Sequence, residues 1–214
     1  AARAAPRSMV EPQQWSLFTE DASTTPPRAR EGGLLNLFFA LFPPMPAATR
    51  IACCAEDLRQ QHGLRGQPLK TQRFHVTLLK LGTFAQHIPQ ALLDSAMAAA
   101  ASIQQPGFEI GFKQAMSFPT SNAYALCGGR QKGAELLTAR LRSALRQRFP
   151  VQAFRGDRPH MTLLYDRTNS VAPHAVEPLT WWADEFVLVL SHVGETQHDW
   201  LGRWPLAATS AAAG

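Results

Sequence analysis

Phe74-His75-Val76-Thr77-Leu78-Leu79 and Pro159-His160-Met161-Thr162-Leu163-Leu164 share one pattern, His-x-Thr followed by two leucines. Successive side chains of an extended strand face opposite sides. His75 and Thr77 therefore share one face and Val76 the other, and the same parity holds for His160, Thr162 and Met161. Each segment presents an imidazole beside a hydroxyl on one surface and an apolar anchor on the opposite one, which suits a strand lining a cleft. Two such strands facing each other supply an acid and a base.

The surroundings of the two motifs follow a common order. Residues 34–42 form a near-continuous apolar run that ends at Pro43-Pro44 and reads as a buried strand. A helix is expected over 46–61, stopped by Gly63, with Gly66 and Pro68 in the loop leading to the first His strand. That strand should end at Gly82, and a second helix should span 89–102. Strands are expected over 108–112 and 123–127. A third helix over 132–149 places Leu136, Leu137, Leu141 and Leu145 at helical spacing ahead of the second His strand. Residues 186–190 and 198–206 read as the last strands, and Trp181 and Trp182 as packed between strands. Strand, helix and His-x-Thr strand recur with the two histidines 85 residues apart, the mark of an old duplication. The expected class is α+β: two pseudo-twofold related lobes of mainly antiparallel sheet with outer helices, each lobe giving one motif to a central cleft.

The chain has 214 residues, of which 45% are apolar, enough for a sizeable core. Residues 1–33 are rich in Ala, Pro, Ser, Thr and Arg without hydrophobic periodicity. They read as a flexible extension in which Trp15, Leu17 and Phe18 dock locally, and 34–214 as the folded domain. No stretch approaches the roughly 20 apolar residues of a membrane span, so a cytoplasmic monomer with no membrane partner is expected. Cys53, Cys54 and Cys127 have neither metal-ligand spacing nor the even count of a disulfide framework. Between Arg130 and Arg158, eight basic side chains face only Glu135 and Asp157, a net charge of +6 against +5 for the whole chain. Clustering of this kind concentrates polyanions.

The chain resembles the 2H phosphoesterase superfamily, in its bacterial RNA 2′,3′-cyclic phosphodiesterase or 2′-5′ RNA ligase branch. Both His-x-Thr-Leu motifs carry the likeness, with Leu37-Phe38-Phe39-Ala40-Leu41-Phe42-Pro43-Pro44, the segment from Arg158 through Tyr165-Asp166, and Leu201-Gly202-Arg203-Trp204-Pro205-Leu206. It covers roughly residues 34–206. The resemblance implies a fold that works without metal or cofactor, with His75 as general acid, His160 as general base, and Thr77 and Thr162 on the nonbridging phosphate oxygens. Relatives often carry an aromatic residue five after the first histidine and an arginine five after the second. Here those places hold Lys80 and Tyr165, with Arg167 two further on.

The chemistry suits the residues. Opening a ribose 2′,3′-cyclic phosphate needs a base to activate water and an acid to protonate the departing ribose oxygen. Two imidazoles with unperturbed pKa values near 6.5 do both. Hydroxyls aimed at the nonbridging oxygens stabilise the charge that grows there. Arg158, Arg167, Arg130 and Tyr165 are further substrate-binding candidates, Arg130 following Gly128-Gly129 at the cleft mouth. Lys80 falls on the face opposite His75 if strand parity persists, and His62, His87, His174, His192 and His198 read as structural. The expected partner is an RNA end bearing a 2′,3′-cyclic phosphate, with reversible 2′-5′ RNA ligation as a second reaction. The alternatives are a small substrate (a cyclic nucleotide, ADP-ribose cyclic phosphate or a 2′-5′ oligoadenylate) or RNA binding without catalysis.

Overall fold

The computed structural model describes residues 33–149, 158–195 and 197–208. The expected N-terminal extension, with Trp15, Leu17 and Phe18, lies outside the described residues, as do Arg155 and Asp157 of the basic segment. The elements run β1 (Leu35–Leu41), α1 (Met45–Gln61), a 3-10 turn (Thr71–Arg73), β2 (Val76–Phe84), α2 (Gln90–Ala101), β3 (Phe108–Phe118) and β4 (Ala123–Cys127). They continue with α3 (Lys132–Arg146), β5 (Met161–Tyr165), β6 (His174–Ala183), β7 (Glu185–His192) and β8 (Gln197–Pro205).

Two four-stranded sheets form, in the orders β2-β1-β7-β8 and β5-β4-β3-β6, with every pairing antiparallel. In each, a motif strand lies at the edge beside an inner strand, and a helix joins the two: β1-α1-β2 in one sheet and β4-α3-β5 in the other. The helices cross over. Helix α1 packs against β5 and β6, and α3 packs against β2 as well as β3. The duplicated units are thus interlocked, and the first sheet is completed by the last two strands of the chain.

Local sequence explains most boundaries. Pro44 caps α1 and a proline occupies its first turn, where a missing N–H costs nothing. Gly63, at φ 60°, ends it in the left-handed conformation. On α3, Ala134, Leu137, Thr138, Leu141 and Leu145 form the buried stripe. Leu136, one residue off that stripe, is 47% exposed and not in the core as its spacing alone implies. The strand missing from the expected set is β6. It is an edge strand in which Pro178 and a register shift opposite β3 break the alternation, so that only its last residues, Leu179, Trp181 and Ala183, carry an apolar face. Its two tryptophans part company: Trp181 is buried and Trp182 is 49% exposed.

The paired leucines of each motif have a specific job. In the first sheet Ala40 pairs with Thr77, Phe39 with Leu79 and Phe38 with Lys80, so Leu78 is an extra residue, a β-bulge. In the second, Ala125 pairs with Thr162, Tyr124 with Leu164 and Ala123 with Tyr165, and Leu163 is the extra residue. Both leucines of each pair are buried, each stabilising the core by ~1.5–3 kcal/mol. Strand parity is thereby reset after each threonine. Lys80 returns to the face of Thr77 and Phe38, which corrects its expected position opposite His75, and Tyr165 returns to the face of Thr162.

The loop after α1 clamps the two motif strands together. Asp166 Oδ2 accepts from the amides of Arg65 at 2.5 Å and Gly66 at 3.2 Å, and the Leu69 amide donates to the Leu163 carbonyl at 2.8 Å. Asp166 Oδ1 accepts from the Thr168 hydroxyl and the amides of Thr168 and Asn169, and these bonds hold the carboxyl well below the usual range. A methyl group on Gly66 would lie 1.9 Å from the Tyr165 carbonyl oxygen. Only glycine allows the loop to come this close to β5.

Candidate active site

Each motif histidine sits one residue ahead of its strand and is fixed in the same way. His75 Nδ1 lies 2.7 Å from the Arg73 carbonyl, and His160 Nδ1 lies 3.0 Å from the Arg158 carbonyl. A carbonyl only accepts, so each ring carries its proton on Nδ1 and leaves Nε2 for a ligand. Nε2 of neither ring has a hydrogen-bond partner among the described residues. The pair is held in matched tautomers by matched backbone.

The two environments differ. His75 is half-buried and enclosed by rings: Phe38 stacks on it at 5.2 Å, Phe42 lies at 5.7 Å, and His198 meets it edge-on at 5.2 Å. Burial in this aromatic box pushes its pKa down to about 4, helped by the positive charges of Arg73 and His160 and opposed by the bond to the Arg73 carbonyl. His160 is among the charged groups that act on His75. His160 rests on Phe118, 5.1 Å away at 34°.

Thr77 and Thr162 lie on the same faces as their histidines, half-buried, and each is opposed across the sheet by an alanine, Ala40 or Ala125. The small partner leaves space over the hydroxyl, which makes no hydrogen bond with a described residue. Tyr165 is 54% exposed on the face of Thr162. Arg158 and Arg167 are both exposed, the first using its carbonyl on His160 and the second lying in the turn after β5. Arg130, also exposed, is taken up by Glu109 at 2.6 Å.

Two residues of the cleft lie outside the set that the motifs alone single out. Arg73 precedes His75 by two residues, as Arg158 precedes His160, so Arg-x-His-x-Thr recurs and its first position is a usable signal. His198, expected to be structural, comes from β8 and packs against Phe38, Phe42 and His75. Burial, then the charges of His75 and Arg73, push its pKa down to about 4 against the pull of Asp199. No local sequence signal joins it to a motif 123 residues away.

The two depressed histidines make stability pH-dependent. Between about pH 6.5 and 4 the unfolded chain binds protons at both imidazoles that the folded chain refuses, so the unfolded state gains as pH falls through this window. The thermal midpoint should drop on acidification from pH 7 to 4.5. A His75→Asn, His198→Asn double variant should show a smaller drop in the same melting series, and an unchanged drop would refute the assignment.

Two antiparallel sheets with crossing helices and one His-x-Thr strand at the edge of each define the 2H phosphoesterase fold. A family model described as the 2′-5′ RNA ligase superfamily matches residues 35–195, and the chain belongs to that superfamily. Its chemistry is phosphodiester hydrolysis or ligation. Among solved structures, E. coli LigT complexed with 3′-AMP is 25% identical, with a TM-score of 0.62 over 81% of this chain and 99% of that one. E. coli LigT complexed with phosphate is 26% identical, with a TM-score of 0.61 over 82% and 99%. TT0787 of Thermus thermophilus, at 20% identity, shares the fold with a TM-score of 0.66 over 81% and 99%. No match was found among curated proteins. Among the described residues, no helix is long and apolar enough to cross a membrane.

Proposed function

We propose that the protein hydrolyses 2′,3′-cyclic phosphate ends of RNA to 2′-phosphomonoesters, with His75 and His160 as its acid and base pair. The observation that carries this reading is the matched presentation of the two imidazoles. Each has its Nδ1 proton held by the carbonyl two residues back, its Nε2 free and a threonine hydroxyl on the same face. One ring activates water while the other protonates O3′ as the P–O3′ bond breaks. Thr77 and Thr162 donate to the nonbridging oxygens, where charge grows as water attacks. Exposed Arg158, two residues before His160, exposed Arg167 after β5, and Tyr165 on the face of Thr162 contact the rest of the nucleotide. The relatives that bind 3′-AMP and phosphate support a nucleotide phosphate as the ligand class.

The environment of His75 bears on its role. The resemblance assigns it the acid, yet its pKa of about 4 keeps the ring neutral in the free protein. A phosphate anion in the cleft favours the charged ring, so His75 enters the reaction protonated only after substrate has bound. Exposed Arg146 and Arg148 at the C-terminal end of α3, which packs on β2, add positive potential for an RNA chain. Ligation is the same ring opening with a 5′-hydroxyl RNA end in place of water: the 5′ oxygen attacks phosphorus, the P–O3′ bond breaks, and a 2′-5′ phosphodiester remains.

The test is incubation of the protein, with and without chelator, with a short RNA ending in 2′,3′-cyclic phosphate, followed by product mass and phosphatase sensitivity. Equal conversion to a 2′-phosphomonoester in both arms is expected. A 3′-phosphomonoester, or conversion that the chelator abolishes, would refute the mechanism. Turnover of a cyclic mononucleotide and none of the RNA would replace the substrate with a small molecule.

A further inference from the structure

We propose that Arg73 and His198 form an oxyanion subsite against His75 that takes a phosphate group of the substrate. This rests on the reading of the cleft as a phosphodiesterase site and extends it to residues outside both motifs.

Two buried polar atoms point to a ligand. Arg73 Nε and His198 Nδ1 are cut off from solvent, and neither has a hydrogen-bond partner among the described residues. Buried polar atoms are paired in the great majority of cases, and an exception marks strain, an ordered water or a place prepared for a ligand. An unpaired atom of a guanidinium is the more telling of the two, because the group stays charged under all conditions.

The charges around these atoms are one-sided. At His75 the neighbouring charges that count are Arg73 and His160, both positive when charged. At His198 they are His75 and Arg73, with Asp199 alone opposing. The Asp199 carboxylate is itself taken up by His192 at 2.8 Å and Gln197 at 2.8 Å. The rings of Phe38 and Phe42 pack against both imidazoles. The cleft therefore holds one permanent cation beside two imidazoles that remain neutral because burial disfavours their charged forms and the neighbouring positive charges add to it. An anion removes that conflict. It pairs with the Arg73 fork, accepts from His198, and lets one or both rings take up a proton.

Phosphate chemistry has two sources in the substrate: the cyclic phosphate itself, or the phosphodiester that joins the terminal nucleotide to the one before it. The first makes Arg73 a clamp on the reacting group. The second makes it a reader of chain length, favouring RNA over a mononucleotide.

The experiment has a binding part and a kinetic part. Inorganic phosphate is titrated into the full chain while histidine ring resonances are followed by NMR, in the wild type, Arg73→Gln, Arg73→Lys and His198→Asn. In the wild type the His75 and His198 signals should shift with phosphate, and their titration midpoints should rise from about 4. Arg73→Gln should weaken phosphate binding by about 10- to 100-fold, and Arg73→Lys, which keeps the charge without the fork, by less. Kinetics are then compared on a cyclic mononucleotide and on a dinucleotide ending in a cyclic phosphate. An equal loss of kcat/KM in Arg73→Gln on both assigns the subsite to the cyclic phosphate. A loss confined to the dinucleotide, seen as a raised KM, assigns it to the flanking phosphodiester.

Phosphate affinity and kinetics of Arg73→Gln and His198→Asn that match the wild type would overturn the subsite. If Arg73→Gln fails to fold, an Arg73→Lys protein with unchanged phosphate affinity and unchanged KM on both substrates would overturn it equally. Phosphate that shifts His75 and His198 in a protein turning over neither substrate would keep the subsite and remove the proposed reaction.

Discussion

Replacing either His75 or His160 with alanine is expected to lower kcat on a cyclic-ended RNA by about a hundredfold to ten-thousandfold, with the fold intact. The size follows from the loss of one proton-transfer group while the other, the two threonines and the binding surface remain. The two variants are separable by changing the leaving group. A substrate with sulfur in place of O3′ departs as a thiolate and needs no acid. It should restore turnover in the variant that lacks the acid and leave the variant that lacks the base inactive. The resemblance names His75 as that acid; rescue of His160→Ala instead would exchange the roles. Rescue of neither, with both proteins folded, would show that the imidazoles do not divide the work as acid and base. The pH profile gives a second handle, because an acid must hold its proton and its loss appears as the alkaline limb. In kcat/KM, which reports the free protein, the decline assigned to His75 should begin near pH 4, where burial has moved the ring, and not near the ordinary value of about 6.5. In kcat the same limb should lie at higher pH, because bound phosphate favours the charged ring.

The second large effect belongs to a pair of adjacent phenylalanines with opposite duties. Phe39 is fully buried on the core face of β1, with the rings of Phe186 and Trp204 each 6.0 Å away. Phe39→Ala should destabilise the protein by ~3–5 kcal/mol, read as a lower midpoint in chemical denaturation, with His75 titrating as before. Phe38 faces the cleft in a small cluster with Ala40, Val187 and Val189, and stacks on His75. Phe38→Ala should cost less stability and raise the His75 pKa from about 4 towards 6.5, since it lets water reach the ring. NMR titration of His75 in both variants is the check. A pKa that moves in Phe39→Ala and stays fixed in Phe38→Ala would reverse the facing derived from the strand register.

Much of this molecule is legible in one dimension. Alternation around His75 and His160 gives the side of the strand on which Thr77 and Thr162 stand, because parity is a property of consecutive residues. The apolar run before Pro43-Pro44, the glycine stop at Gly63 and the leucine stripe of α3 give elements for the same reason: periodicity and backbone permissions are local. The repeated strand, helix and motif strand give the antiparallel α+β architecture, and the resemblance carried by the two His-x-Thr-Leu motifs and their flanks gives the superfamily.

Pairing across the sheet decides the remainder. Why each motif carries two leucines, and why Lys80 and Tyr165 return to the cleft, depends on bulges opposite β1 and β4, and a bulge is a relation between two strands. Strand β6 is hidden because Pro178 and a register shift opposite β3 leave only a short apolar period at its end. Arg73 has a signal in its match to Arg158, whereas His198 has none, since β8 reaches His75 only after the last strands of the chain close the first sheet. The low pKa of His75 likewise follows from rings that separate strands bring around it. Sequence alone determines which groups a strand presents and to which side. Which groups meet, how far water is excluded from them, and therefore which of them hold a proton, are set by contacts between residues far apart in the chain.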